Sequence, residues 1–123
     1  MVIDSSIILS IYFNEDKASW AAKQLELYEN DLKICVVNLT EIVIRIIDKQ
    51  PNLYDKFYKT FIESPIEFIP VDKEQALVAA EARLKFPINL GDSFAYALAK
   101  TLNEPLLTLD SDFKKTDLNI LTC

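Results

Sequence analysis

Met1-Val2-Ile3-Asp4-Ser5-Ser6-Ile7-Ile8-Leu9-Ser10-Ile11-Tyr12-Phe13 begins the chain with an apolar triplet, one acid, two hydroxyls and a second apolar run. An apolar triplet closed by an acid reads as a short buried strand over Met1 to Asp4, and Ser5 to Phe13 as an apolar helix leaving it. The alternation continues down the chain. Glu15 to Tyr28 sets Trp20, Ala21, Gln24, Leu25 and Tyr28 three and four residues apart, the spacing of one helix face. Ile34 to Val37 reads as a second strand, followed by a helix from Leu39 to Lys49. Pro51 then starts a helix to Glu63 with Leu53, Phe57 and Phe61 on one face. Ile66 to Val71 is a third strand, and Asp72 caps an Ala- and Leu-rich helix to Lys85. A helix over Gly91 to Asn103, a strand over Leu106 to Leu109 and a weak strand over Asn119 to Thr122 complete the series. Strands separated by helices, with no hairpin signal between them, predict an α/β domain whose parallel sheet of about five strands is covered on both faces. One such domain accounts for residues 1–123.

Composition narrows the chemistry. The chain has 123 residues, 50% hydrophobic and 26% charged, with 13 Lys and Arg against 19 Asp and Glu for a net charge of −6. It contains no histidine and one glycine. Ser-His-Asp and Cys-His catalysis, imidazole metal ligands and histidine-based ribonuclease chemistry are thereby excluded. A single glycine excludes the glycine-rich phosphate loops of dinucleotide- and nucleotide-binding folds. What remains is catalysis by carboxylates, lysines, hydroxyls or a hard metal. The first residues lack a basic region and a cleavage site, no apolar run approaches membrane-spanning length, and Cys35 and Cys123 form no paired motif. These features predict a soluble, cytoplasmic protein with no membrane partner.

Function in an open parallel sheet collects at the carboxyl ends of the strands. Asp4 ends the first strand, Glu41 lies in the first turn after the second, and Asp110 and Asp112 follow the fourth. Asp92 opens the helix that begins at Gly91, where a tight turn would bring the acid to the same edge. Each acid alone also suits a structural task. Asp4 can cap a helix, Asn38-Leu39-Thr40-Glu41 matches a capping box, Asp92 suits a helix dipole, and Asp110 can cap a turn over Ser111 to Lys115. Asp4 and Glu41, however, adjoin strongly apolar runs, where an ionised carboxylate is costly unless paired. A carboxylate cluster without His or Cys suits Mg²⁺, with Mn²⁺ as the alternative, over zinc or copper.

These residues resemble a known family. Met1-Val2-Ile3-Asp4-Ser5-Ser6, the acid in Asn38-Leu39-Thr40-Glu41-Ile42, Leu90-Gly91-Asp92-Ser93-Phe94-Ala95-Tyr96-Ala97-Leu98-Ala99 and Leu107-Thr108-Leu109-Asp110-Ser111-Asp112-Phe113 are similar, in order and spacing, to the four acidic motifs of PIN-domain ribonucleases. The form of the third motif looks most like VapC toxins of type II toxin–antitoxin modules. The resemblance implies a PIN-like three-layer α/β/α fold and a Mg²⁺-dependent endoribonuclease, with tRNA among its candidate substrates. It implies Asp4, Glu41, Asp92 and Asp110 as catalytic, metal-holding acids, with Asp112 as the alternative fourth ligand. Thr108 matches the hydroxyl residue found before the fourth acid. Thr108, Arg45, Lys114 and Lys115 are the candidate substrate contacts, with surface ion pairing or plain solvation as the alternative for the cations. A cognate antitoxin and a homodimer are the implied protein partners. The stretches Ile7 to Phe13 and Ile42 to Ile47 carry more isoleucine than one helix face easily buries.

The implied reaction is in-line hydrolysis assisted by one or two metal ions, leaving 5′-phosphate and 3′-hydroxyl ends. A charge of −6 opposes phosphate binding, but part of it belongs to the acids that a metal would neutralise. Two other readings compete: a catalytically silent PIN-like interaction module, and a PIN nuclease of RNA processing outside toxin–antitoxin systems. Asp110-Ser111-Asp112 also matches the Asp-x-Asp of aspartyl-phosphate phosphatases, but it follows a late strand and lacks a glycine-rich context.

Overall fold

A computed structural model describes residues 1–123. Five short strands, β1 (Val2–Ile3), β2 (Lys33–Cys35), β3 (Glu67–Ile69), β4 (Leu106–Leu107) and β5 (Ile120–Leu121), form one sheet. The helices are α1 (Ser5–Tyr12), α2 (Ala18–Leu27), α3 (Val36–Lys49), α4 (Tyr54–Phe57), α5 (Lys73–Lys85) and α6 (Leu90–Leu102). The strand order is β3-β2-β1-β4-β5 and every pairing is parallel. Val2 stands opposite Lys33 on one side and Leu106 on the other, so β1 is central.

Successive side chains of a strand point to opposite faces, and β1 feeds one residue into each half of the core. Ile3 joins Ile7, Ile8, Ile34, Ile42, Ile46 and Phe57 on one side of the sheet. Val2 joins Ala95, Leu98, Ala99, Leu106 and Phe113 on the other. The predicted three-layer α/β/α arrangement is therefore the observed one. No helix is long and apolar enough to cross a membrane.

Three local expectations are corrected. β2 ends at Cys35 and α3 starts at Val36, so Asn38 is inside the helix and does not cap it. The single helix expected over Pro51 to Glu63 is instead a 3-10 turn (Pro51–Leu53), α4 and a π-helical turn (Tyr58–Ile62). The wider π turn keeps Phe57 and Phe61 stacked at 5.3 Å with both rings buried. Gly91 makes no tight turn. It is the second residue of α6, its φ is not positive, and it lies inside a capping box formed by Asn89 and Asp92.

The chain runs from β1 to β2 to β3 on one side, then crosses to β4 on the other side of β1. The connections after β1 and β4 consequently diverge, and a crevice opens at the carboxyl ends of these two strands.

Candidate functional site

Asp4 leaves β1 and caps α1 from an extended backbone conformation. Its Oδ1 accepts the Ser6 backbone N–H at 3.1 Å and the Ser6 hydroxyl at 2.5 Å, and its Oδ2 accepts the Thr108 hydroxyl at 2.6 Å. The carboxylate is only 2% exposed. Burial pushes its pKa up to about 6, against the pull of the Ser6 and Thr108 hydrogen bonds, and the charge of Asp110 adds to the rise.

Asp110 follows β4. Its backbone N–H donates to the Thr108 hydroxyl at 2.9 Å, and its Oδ1 caps the 3-10 turn Ser111–Lys115 by accepting the Asp112 N–H at 2.9 Å. Asp92 arrives from the opposite side of the crevice, in the first turn of α6. Its N–H donates to Asn89 Oδ1 at 2.8 Å, and its Oδ2 accepts the Asn89 N–H at 3.4 Å. Burial and then the Asp110 charge raise Asp92 to about 7, with smaller contributions from the charges of Asp4 and Glu41. Four carboxylates from four elements thus lie within each other's fields.

Glu41 is the sixth residue of α3 and so lies in its second turn, not the first turn expected, because α3 begins directly after β2 at Val36. Its Oε1 accepts the Asn38 side-chain amide at 2.9 Å, and that amide also donates to the Gly91 carbonyl at 3.1 Å. The Glu41 carboxylate rests against the bare Cα of Gly91, where a Cβ would collide with it. Ser5, Ser6, Glu41, Arg45, Asp92 and Asp110 are among the residues lining a cleft of about 560 Å³, and Asp4 lies off this lining. No group of three or more of these acids stands in closed ligand geometry. The donor set is nonetheless all oxygen and partly unneutralised, which suits a hard divalent cation.

The other expected site residues are distributed unevenly. Thr108 is fully buried and its hydroxyl donates to Asp4 Oδ2. Lys114 and Lys115 are exposed on the Ser111–Lys115 turn and neither lines the cleft. Lys115 instead pairs with Asp112 at 3.6 Å, and Asp112 does not line the cleft. Arg45 lines the cleft and is in no ion pair, so the surface pairing weighed for it does not occur. Ser6 and Asn89 were not anticipated. A hydroxyl two residues after an N-cap acid, and Asn-x-x-Asp ahead of an apolar run, are the signals that mark them.

Compared with known proteins, residues 1–119 match the family described as PIN domain. Ribonuclease VapC42 of Mycobacterium tuberculosis is 31% identical over 127 residues, covering 96% of this chain and 96% of the relative. Among solved structures, the DNA-bound VapBC of Salmonella typhimurium superposes with a TM-score of 0.80 at 16% identity, covering 98% of this chain and 96% of that one. The Mycobacterium tuberculosis toxin VapC20, described as cleaving the sarcin-ricin loop, superposes with a TM-score of 0.79 at 12% identity, covering 95% of each chain.

Proposed function

The chain belongs to the PIN-domain family, and from that membership and its acidic cleft we propose that it is a metal-dependent endoribonuclease, the toxin of a type II toxin–antitoxin module. The carrying observation is that Glu41, Asp92 and Asp110 line one cleft and, with the buried Asp4 beside it, lie within each other's fields, each from a different element. Two of them hold protons close to neutral pH, a state that a bound cation would reverse. The 31%-identical relative is named a ribonuclease, which favours RNA as the substrate.

Mg²⁺ or Mn²⁺, when bound, supplies positive charge and acidifies water for phosphodiester hydrolysis at neutral pH. Asp4, Glu41, Asp92 and Asp110 would hold it. Ser6 and Thr108 keep Asp4 in one rotamer, so the carboxylate needs no reorganisation before use. The α1 N-terminus adds a favourable dipole beside Asp4. Arg45, unpaired on the cleft wall, is the cation placed to meet a backbone phosphate of the RNA. Structured RNA such as tRNA, read by shape, fits a narrow acidic cleft with one arginine on its wall.

An antitoxin is the proposed protein partner, a reading supported by the VapBC complexes that share this fold. A homodimer is proposed through α3, where Ile44 and Ile47 are 60% and 51% exposed while Ile42 and Ile46 are buried. The Ile7-to-Phe13 stretch competes poorly as a partner face, since Ile7 and Ile8 are fully buried. We place the protein and its RNA in the cytoplasm.

The test is cleavage of a total RNA or tRNA pool with Mg²⁺, with chelator, and by Asp4→Asn and Asp92→Asn. Chelator-sensitive cleavage, lost in both variants, is expected. Chelator-insensitive cleavage, or full activity in both variants, would sink the reading. Metal-loaded protein that binds RNA without cutting it would favour a silent interaction module. Growth arrest on induced expression, relieved by co-expressing the neighbouring open reading frame, separates a toxin from an RNA-processing nuclease.

A further inference from the structure

Gly91 is a glycine where the backbone does not ask for one. It lies inside α6 with no positive φ, a place where glycine is disfavoured and alanine preferred. What a larger residue would displace is the Glu41 carboxylate: its Oε2 would stand nearest a Cβ at position 91, with Cδ 2.5 Å and Oε1 2.7 Å from it.

Asn38 meets the same carboxylate from the other side. Its side chain is 1% exposed, and its amide donates to Glu41 Oε1 and to the Gly91 carbonyl, joining α3 to α6 at this point. Its own Oδ1 has no partner. A buried carbonyl oxygen left unpaired is a standing cost, and the amide hydrogens are what the side chain contributes in return. Reversing the amide would set its oxygen against two other oxygens, so only one orientation serves.

We infer that Asn38 and Gly91 are positioning residues that hold the Glu41 carboxylate at the cleft, the first by a hydrogen bond to Oε1 and the second by the space of its missing side chain. Oε2 packs against the Gly91 Cα and accepts no protein hydrogen bond. The inference rests on the reading of Glu41 as a cation ligand. Neither residue touches substrate. Both act through Glu41, as hydrogen-bonding partners of metal ligands do elsewhere.

Three measurements on the full chain test this. Mn²⁺ binding by calorimetry is compared in wild type, Gly91→Ala and Asn38→Leu, thermal unfolding is followed in each, and the Asn38 side-chain NH₂ signal is read by NMR in wild type and Glu41→Gln. Loss of Mn²⁺ affinity by about 10- to 100-fold is expected in both variants, the range for partners of metal ligands. The unfolding temperature of Gly91→Ala should hold or rise, because alanine suits the helix. The Asn38 signal should shift in Glu41→Gln. A folded Gly91→Ala that binds Mn²⁺ like wild type would overturn the inference, and it remains decisive if Asn38→Leu does not fold. A wild type that binds no Mn²⁺ fails the metal reading instead. The Asn38 signal still judges the contact in that case, and no shift would overturn it too.

Discussion

Thr108 donates its hydroxyl hydrogen to Asp4 Oδ2 at 2.6 Å, tying the end of β4 to the end of β1 across 104 residues of chain. The Thr108 hydroxyl oxygen in turn accepts the Asp110 N–H at 2.9 Å, so one hydroxyl sets two of the four acids. Thr108→Val keeps the shape and removes the hydrogen bond. Hydrogen bonds to charged groups contribute about 1.5–3 kcal/mol, which converts to a fall of about 10- to 100-fold in RNA cleavage. Because this bond holds the Asp4 pKa down, the variant should also reach half-maximal activity at a higher pH. Thr108→Ser should restore both properties, which a pH–rate profile of the three proteins would check.

Stability of the metal-free protein should fall as pH rises. Asp4 and Asp92 have folded pKa values of about 6 and about 7, above the ordinary carboxylate value of 3.8. The folded state therefore binds more protons than the unfolded state between roughly pH 4 and 7, and stability declines through that window. Their contribution is fully present below the unfolded pKa and gone above the folded one. Thermal melts in chelator should show a lower midpoint at pH 8 than at pH 5.5. A divalent cation should narrow that difference, since it favours the ionised acids.

Asp92→Asn should separate stability from function. The substitution removes a charge that is half-buried among like charges, yet an asparagine oxygen still accepts the Asn89 N–H of the capping box. The metal-free variant should melt a few degrees higher than wild type at pH 8 and cleave RNA at less than about one-hundredth of its rate. Melting curves and a cleavage assay on the same preparation decide it.

Arg45→Ala should raise KM about fivefold with kcat nearly unchanged, the effect of one solvent-exposed charge contact near 1 kcal/mol. The salt dependence of RNA binding should weaken in parallel. Lys114→Ala and Lys115→Ala should change either parameter by less than about twofold, because neither side chain reaches the cleft. Steady-state kinetics at two salt concentrations separates the three positions.

The architecture was readable because the strands are apolar runs bounded by acids and caps, and the parallel order follows from helices lying between them. Asp4 and Asp110 stand just after β1 and β4 as read, whereas Glu41 and Asp92 sit in helices and were singled out with the help of the motif resemblance. Finer placement failed where local pattern met tertiary demand. Asn38 has the sequence of a cap, but β2 passes into α3 without a loop and the amide turns to Glu41 instead. Gly91 looked like a turn residue because glycine usually is one, and only the approach of a side chain 50 positions earlier explains it. Thr108 sits in a strand-end motif that reads as substrate-facing, and burial by Ser6 and Asp4 cannot be seen in one sequence. Lys114 and Lys115 adjoin Asp110 along the chain, but they stand exposed at the end of the 3-10 turn and neither lines the cleft.

The central place of β1 also carries a consequence in time. Val2 bonds to the Pro105 carbonyl, the Asp4 N–H to that of Leu107, and the Asp4 side chain to Thr108. A ribosome that has reached Leu102 has made three of the four acids but none of the strand against which the first must be held. Domains fold from the amino end as they emerge, so this cleft is completed only when β4 has been delivered. For a chain of the PIN-domain family, ribonuclease activity is then expected only after β4 has emerged.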